Sequence, residues 1–507
     1  MNAEKSACAS SDLASRWDRL RWSEHERHVR RLQARIVKAT KERRWGRVKS
    51  LQWLLTHSFS GRALAVNRVT TNQGAKTPGV DGATWQMPAT RYRAIGTLRR
   101  RGYQPQPLRR VFIPKSNGKL RPLGIPTIKD RAMQALYLLA LEPVAETTGD
   151  LNSYGFRRAR STADAIQHCF CVLSHVDDSA TWVLEGDIKG CFDNISHEWM
   201  LKNIPTDTEV LRKWLRAGFV DKRTWFATEA GTPQGGIISP TLANLTLDGL
   251  ERVLKQRFKT HRVMGPHGSR QVVNPKVHLI RYADDFIITG GSRELLTDEV
   301  LPVVERFLNE RGLQLSPEKT KVTHISAGFD FLGQNLRKHR ERLLVVPAKK
   351  NVHAFLEKVR TILSNNVGSE QAPLIRHLSL VIKGWANYHR YVAASRVFAT
   401  VDTRIFEALW FWAQRRHPNK NPGWIAKRYW RPIGRRFWEF AAVDRHSGTG
   451  RRLTLTLARA AEVRIRRHIK VCSDANPFDP EWRDYFAVRA RRGERGRPAA
   501  GNQKTQL

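Results

Sequence analysis

The sequence predicts an α+β chain in which a sheet-bearing portion comes first, a helical portion follows, and a small basic region closes the C-terminus. Three observations carry this reading. Short apolar runs at residues 277–280 and 286–288 flank Tyr282-Ala-Asp-Asp285 and read as two strands of a hairpin. The run Thr181-Trp-Val-Leu-Glu-Gly-Asp-Ile188 reads as a buried strand ending at Asp187. Residues 347–440 then change texture, becoming helical in pattern and rich in Trp, Arg and His.

The remaining elements fall into place in chain order. Within residues 24–68, Val29, Leu32 and Ile36 recur at helical spacing, and Leu51, Leu54 and Leu55 follow on a further stretch. The opposite face is crowded with Arg and Lys, and we read it as facing RNA rather than merely solvated. Lys76-Thr-Pro-Gly-Val-Asp-Gly82 and Gln104-Pro-Gln-Pro107 are turn-rich breaks. The run from Val111 to Pro126 reads as a β-hairpin with a Ser-Asn-Gly tip, and Lys115, Lys119 and Arg121 sit on or beside it. A helix is expected over residues 129–145, and another from Ser196, which suits an N-cap. The Gly-, Arg- and Pro-rich extreme C-terminus is expected to be disordered.

Charge is the strongest global signal. The chain carries 88 Lys plus Arg against 46 Asp plus Glu, a formal net charge of +42. Such an imbalance repels itself in a compact fold and points to a polyanionic partner, bound through phosphate contacts that release counterions. No stretch approaches the run of about 20 apolar residues that spans a bilayer. Neither a membrane partner nor a secretory leader is expected, and the predicted location is cytoplasmic, in association with nucleic acid. The five cysteines are scattered and read as reduced thiols, with no disulfide framework and no zinc site.

The chemistry resides in the carboxylates. Phosphoryl transfer onto a 3′-hydroxyl uses two divalent ions, and Mg²⁺ prefers hard oxygen ligands. A strand ending in Asp187 beside a hairpin tip bearing Asp284 and Asp285 would supply them. Like charges held so close repel unless metal compensates them. An Asp pair can also be a solvated turn, as Asp177-Asp178 is read, but this pair is flanked by apolar strands.

These residues resemble a known family. Arg281-Tyr-Ala-Asp-Asp-Phe286 resembles the signature hairpin of group II intron-encoded reverse transcriptases. Gly186-Asp-Ile-Lys-Gly-Cys-Phe-Asp-Asn-Ile195 resembles that family's first catalytic strand, and Gly231-Thr-Pro-Gln-Gly-Gly-Ile-Ile-Ser-Pro240 its nucleotide-pocket loop. Leu315-Ser-Pro-Glu-Lys-Thr-Lys321 and Phe331-Leu-Gly333 resemble two further blocks, in the family's order. The resemblance implies a right-hand polymerase, with fingers and an antiparallel palm sheet, a helical thumb or maturase domain and a basic tail. Implied divisions are a basic helical segment at 1–60, an extension of the fingers at 61–110, fingers and palm at 111–345, the thumb at 346–443 and a DNA-binding-like tail at 444–507.

The same resemblance implies roles. Asp187, Asp284 and Asp285 become the catalytic metal ligands, with the backbone of Ile188, for two Mg²⁺ ions or Mn²⁺ in their place. Phe192 becomes the steric gate against a ribose 2′-OH, its plainer reading being a core ring. Gln234 and Gly235 line the incoming nucleotide, and Lys115 and Arg121 bind its triphosphate. Lys319 is either a helper at the leaving phosphate or a surface lysine. Arg415, Arg416, His417 and Lys420 form a phosphate-facing cluster, while Trp385, Tyr388, Trp410 and Trp412 are read as thumb core. Implied partners are a group II intron RNA, an RNA template with a DNA primer, a DNA target and dNTPs. Longer members end in an endonuclease domain with Cys-x-x-Cys pairs, absent from this sequence, so second-strand cleavage is not expected and a replication fork is one source of primer. Two rival readings stay open: a non-catalytic RNA-binding maturase, and a reverse transcriptase recruited to a task such as phage defence.

Overall fold

The computed structural model describes residues 11–494, apart from 115–117, 119, 176–178, 233–234, 265–269 and 445–452. Lys115, Lys119, Gln234, the Asp177-Asp178 turn, most of the fingertip turn and the extreme C-terminus therefore lie outside the described residues. The chain divides into two compact units. The first holds the residues up to 161, 184–322 and those from 471 on; the second holds 162–183 and 323–470.

In the first unit three helices stand where the periodicity predicted a helical stretch: Trp22–Lys41, Trp45–His57 and Phe59–Thr71. Arg43, at φ +56°, turns the chain after the first. Ser58 stands extended between the second and third, and its hydroxyl accepts a hydrogen bond from the Gly61 amide at 3.0 Å, as an N-cap does. The apolar faces meet as the spacing predicts. Val29, Leu32 and Ile36 pack with Val48, Leu51 and Leu55 against Leu139, Ala140 and Val144 of the Ile128–Thr148 helix. Leu54 departs from the expectation and stands exposed. The Ile128–Thr148 helix is buried along most of its length, so its one early carboxylate needs partners. Asp130 has them: it accepts from Tyr103 Oη at 2.7 Å and Thr127 Oγ1 at 2.6 Å.

Strands β1 (Leu108–Pro114) and β2 (Leu120–Ile125) form the predicted antiparallel hairpin, in register from Arg109↔Ile125 to Pro114↔Leu120. Further along come β3 (Trp182–Asp187), β4 (Phe219–Asp221), β5 (Thr224–Phe226), β6 (His261–Met264) and β7 (Arg270–Val273). After them stand β8 (Leu279–Tyr282), β9 (Asp285–Gly290) and β10 (Lys321–His324). The hairpin joins a sheet of order β2-β1-β4-β5. The sheet that carries the site has the order β10-β3-β9-β8. The boundary between the units passes through β3 and β10. Gly186 in β3 is required by packing: a Cβ there would stand 2.2 Å from the Phe286 ring of β9.

The second unit begins its continuous part with β11 (Phe329–Phe331), β12 (Gln334–His339) and β13 (Arg342–Pro347), paired antiparallel. Four helices follow, Lys349–Asn365, Gln371–His389, Ser395–Arg416 and Pro422–Tyr429. Leu378, Ile382, Phe398, Val401, Leu409 and Trp412 are buried in its core. The helical texture expected to run to residue 440 stops at Tyr429. Pro432 lacks the amide a helix needs and Gly434, at φ +60°, turns the chain back. The result is a small antiparallel sheet of β14 (Trp430–Ile433), β15 (Arg436–Asp444) and β16 (Leu453–Thr456). Among the described residues, no helix is long and apolar enough to cross a membrane.

Candidate active site

The site is built where β3 ends. The Asp187 carbonyl accepts from the Ser316 amide at 2.8 Å, and Ile188 bridges Leu315. These contacts fix the point at which the Asp187 carboxylate leaves the sheet. Beside it, β8 and β9 pair from Leu279↔Ile288 to Tyr282↔Asp285. Ala283 and Asp284 make the turn, with Ala283 at φ +58°. A tight turn between paired strands needs positive φ, and here an alanine supplies it.

The three carboxylates feel one another. Burial, then Asp284 and Asp187, push the Asp285 carboxyl up to about 6, although solvent reaches one side of it. Asp284 is likewise raised, first by burial and then by Asp187, and is eased by Arg121 and Lys319. Lys319 Nζ donates to Asp187 Oδ2 at 2.8 Å, and that bond raises the lysine. The fold thus brings Asp187, Asp284, Asp285, Lys319 and Arg121 into one electrostatic neighbourhood. A concentration of acid groups with displaced ionisation marks a site built for cationic or catalytic work. The donors are hard oxygens, as Mg²⁺ requires. Among the described residues, no three acidic, imidazole or thiolate groups stand close enough to hold an ion alone. Mg²⁺ commonly keeps waters and substrate phosphates among its ligands and binds through one or two carboxylates.

Phe192 follows on a short helical turn, half-buried. Its carbonyl accepts from the Thr232 amide at 2.7 Å. Gly231, at φ +85°, lies so close that a Cβ would stand 2.6 Å from that oxygen. The start of the expected nucleotide loop is therefore laid against Phe192. Its far side, Gly235, rests on Gly124 of β2, the strand that carries Arg121.

The sequence reading missed what stands beneath the hairpin. Arg281 is 1% exposed. Its guanidinium pairs with Asp248 and donates to Asn244 Oδ1 at 3.2 Å and to the Ala283 carbonyl at 3.3 Å. Burial raises the Asp248 carboxyl to about 6 despite Arg281. Asn244 Nδ2 donates to the Gly155 carbonyl at 2.8 Å, and a Cβ on Gly155 would meet the Ala283 nitrogen at 2.3 Å. The signal was visible as Arg281 at the head of its motif, but nothing in the sequence paired it with Asp248.

In the second unit the four expected phosphate-facing residues divide. Arg415 and Lys420 are exposed. Arg416 instead donates to the Val367 carbonyl at 3.2 Å and to the Ser369 carbonyl, and lies over Trp412. A ring nitrogen of His417 lies 2.7 Å from Tyr429 Oη. Of the expected core aromatics, Trp412 is buried, Trp385 and Trp410 are half-buried, and Tyr388 is exposed with its hydroxyl on the Leu332 carbonyl.

A strand-end aspartate beside a hairpin pair is a layout suited to two-metal phosphoryl transfer, and the family match below makes the chain a polymerase of the reverse transcriptase class, an RNA-directed DNA polymerase. Residues 113–336 match the reverse transcriptase (RNA-dependent DNA polymerase) family, 17–98 the N-terminal domain of reverse transcriptase, and 352–430 the group II intron maturase-specific domain. The chain belongs to the group II intron-encoded reverse transcriptases and maturases. It is 36% identical over 303 residues to Protein YkfC of Escherichia coli, covering 54% of this chain and 79% of that protein. It is 31% identical over 332 residues to the group II intron-encoded protein LtrA of Lactococcus lactis, covering 55% of each chain. Telomerase from Candida albicans, solved with a fragment of telomeric RNA, aligns at 12% identity over 64% of each chain with a TM-score of 0.34.

Proposed function

We propose that this chain extends a primer 3′-hydroxyl with deoxynucleotides on an RNA template, using Mg²⁺. We further propose that it binds a group II intron RNA, assists its splicing and copies it in target-primed or fork-primed retrotransposition. The observation that carries the reading is the convergence of Asp187 with Asp284 and Asp285 beside Lys319. In this reading Asp187, Asp284 and Asp285, with the Ile188 backbone, hold the ions. When bound, the ions activate the attacking hydroxyl and stabilise the leaving oxygen. Lys319 neutralises Asp187 until an ion competes for it, and Arg121 supplies a cation to the triphosphate. Lys115 and Gln234 take the triphosphate and nucleotide roles given above, and Gly235 holds the pocket loop on β2. Phe192 screens the sugar. Arg415 and Lys420 offer solvent-facing charge to RNA, with Arg416 and His417 fixing the helix end behind them.

The test uses the purified full chain with a primed RNA template and dNTPs. The wild type extends the primer, and Asp284→Asn drops extension to background. RNA affinity stays nearly the same, because one ligand is lost while the basic surface is kept. No incorporation by the wild type at any Mg²⁺ concentration would leave a non-catalytic RNA-binding maturase. Sequencing the RNA that copurifies tests the intron assignment, and the absence of a structured intron RNA would point to a reverse transcriptase serving another task.

A further inference from the structure

We propose that Phe156 is a positioning residue that fixes the ring of Phe192, and through it the choice between deoxy- and ribonucleotides. The inference rests on the reading of Phe192 as the steric gate.

Phe156 is an anomaly on two counts. Its backbone lies at φ +56°, a region that residues with a Cβ seldom enter. The residue is 56% exposed, although its side chain is large and apolar. Neither conformation nor solvation favours phenylalanine there, and strained residues of this kind cluster at active sites. The fold nevertheless holds it tightly from both sides. Gly155 is pressed under the catalytic turn, within 2.3 Å of Ala283 N at its Cβ position, and Asn244 holds its carbonyl. Arg157 is anchored to Glu146 at 2.8 Å and to the Ser153 carbonyl at 3.0 Å. With both neighbours fixed, the backbone of Phe156 is set, and with it the point from which the ring leaves the chain. It meets Phe192 edge-on, with centroids 6.4 Å apart and planes at 77°, the arrangement that aromatic quadrupoles favour.

A gate excludes a 2′-hydroxyl only if its ring cannot swing away. The backbone of Phe192 is fixed by Thr232 and Gly231, but backbone contacts leave χ1 free. The edge-on contact of Phe156 restrains the ring itself. A deoxyribose makes no demand on that restraint, whereas a ribose pushes against it. Loss of the Phe156 ring should therefore appear in the ratio of kcat/KM for dNTPs over rNTPs, mainly through a lower KM for rNTPs.

The test measures that ratio for the full chain on a primed RNA template. Phe156→Leu should lower it by about three- to tenfold, the scale of one aromatic pair. Phe156→Tyr keeps an edge-on ring and should retain discrimination. Phe156→Gly relieves the backbone while removing the ring, so discrimination should fall with no loss of thermal stability. Phe192→Ala, run in parallel, should lower the ratio further, and adding Phe156→Leu to it should change nothing more. Equal losses for dNTPs and rNTPs in the Phe156 variants would make the residue merely structural and overturn the proposal. So would an unchanged ratio in Phe156→Leu and Phe156→Gly while Phe192→Ala lowers it, which would leave the gate standing. An unchanged ratio in Phe192→Ala itself would remove the gate, and this inference with it.

Discussion

The hairpin bearing Asp284 and Asp285 and the buried imidazole of the helical unit rest on different contacts. Beneath the hairpin lie buried charges: Arg281 with Asp248, and Arg157 and Arg160 on Glu146. In the helical unit His389 sits among rings and side-chain amides. His389 is fully buried, with Nε2 2.9 Å from Asn351 Oδ1 and Nδ1 3.0 Å from Gln334 Oε1. Trp385 Nε1 also donates to Asn351 Oδ1, at 2.9 Å. Both ring nitrogens thus face side-chain amide oxygens, and a neutral ring donates to one of them. Buried ions are directional and fail badly when one partner goes, while packed rings and neutral hydrogen bonds tolerate more.

The most severe way to break this contrast is Arg281→Met. It leaves Asp248 buried without its cation and should cost about 3–5 kcal/mol, along with primer extension. Arg281→Met combined with Asp248→Asn removes both charges and should recover part of the stability without restoring extension, since Ala283 still lacks its donor. Urea unfolding and extension assays on the three proteins check this. If the single variant is as stable as the double, buried charge is not what holds the hairpin.

That pair also shows what the sequence could reveal. Asp187, Asp284 and Asp285 were readable because strand and turn patterns are local, and the two fingers strands were readable for the same reason. Arg281 with Asp248, and Gly155 beneath Ala283, join positions distant in the chain, and no periodicity marks such contacts. Arg416 looked like its neighbour Arg415, because only the fold shows that carbonyls of the 367–369 turn lie within its reach. The helix expected to residue 440 failed at Pro432 and Gly434, two residues whose punctuation outweighs an aromatic-rich texture.

Acid acts with opposite signs at two buried groups, one in each unit. Burial holds His389 at about 4, below its ordinary 6.5. Between those values the unfolded chain binds a proton that the folded one does not, so the second unit loses stability as pH falls through that window, by on the order of 3 kcal/mol. Asp248, raised from 3.8 to about 6, behaves in reverse. Its folded form takes up a proton as pH falls through about 6, so acidification favours the folded first unit at that site. Urea midpoints for each unit between pH 7 and 4, followed by local probes, should diverge. In His389→Gln the slope of the second unit should flatten, and an unchanged slope would take the imidazole out of the comparison.

The smallest effect sharpens the contrast within the helical unit itself, at two adjacent arginines. Arg416 is spent on the Val367 and Ser369 carbonyls, so Arg416→Ala should cost about 1–2 kcal/mol of stability, the scale of a hydrogen bond from a charged donor. Arg415 is exposed. Arg415→Ala should leave stability within about 0.5 kcal/mol. In the proposed reading it loses one phosphate contact, so the slope of log affinity for RNA against log salt should shrink by about 0.7 to 0.9. Affinity titrations at several salt concentrations, with unfolding curves for both variants, separate the two roles. If Arg415→Ala leaves the salt slope untouched, the exposed charge at this helix end is solvation alone, and the RNA surface must be sought on other basic residues of the chain.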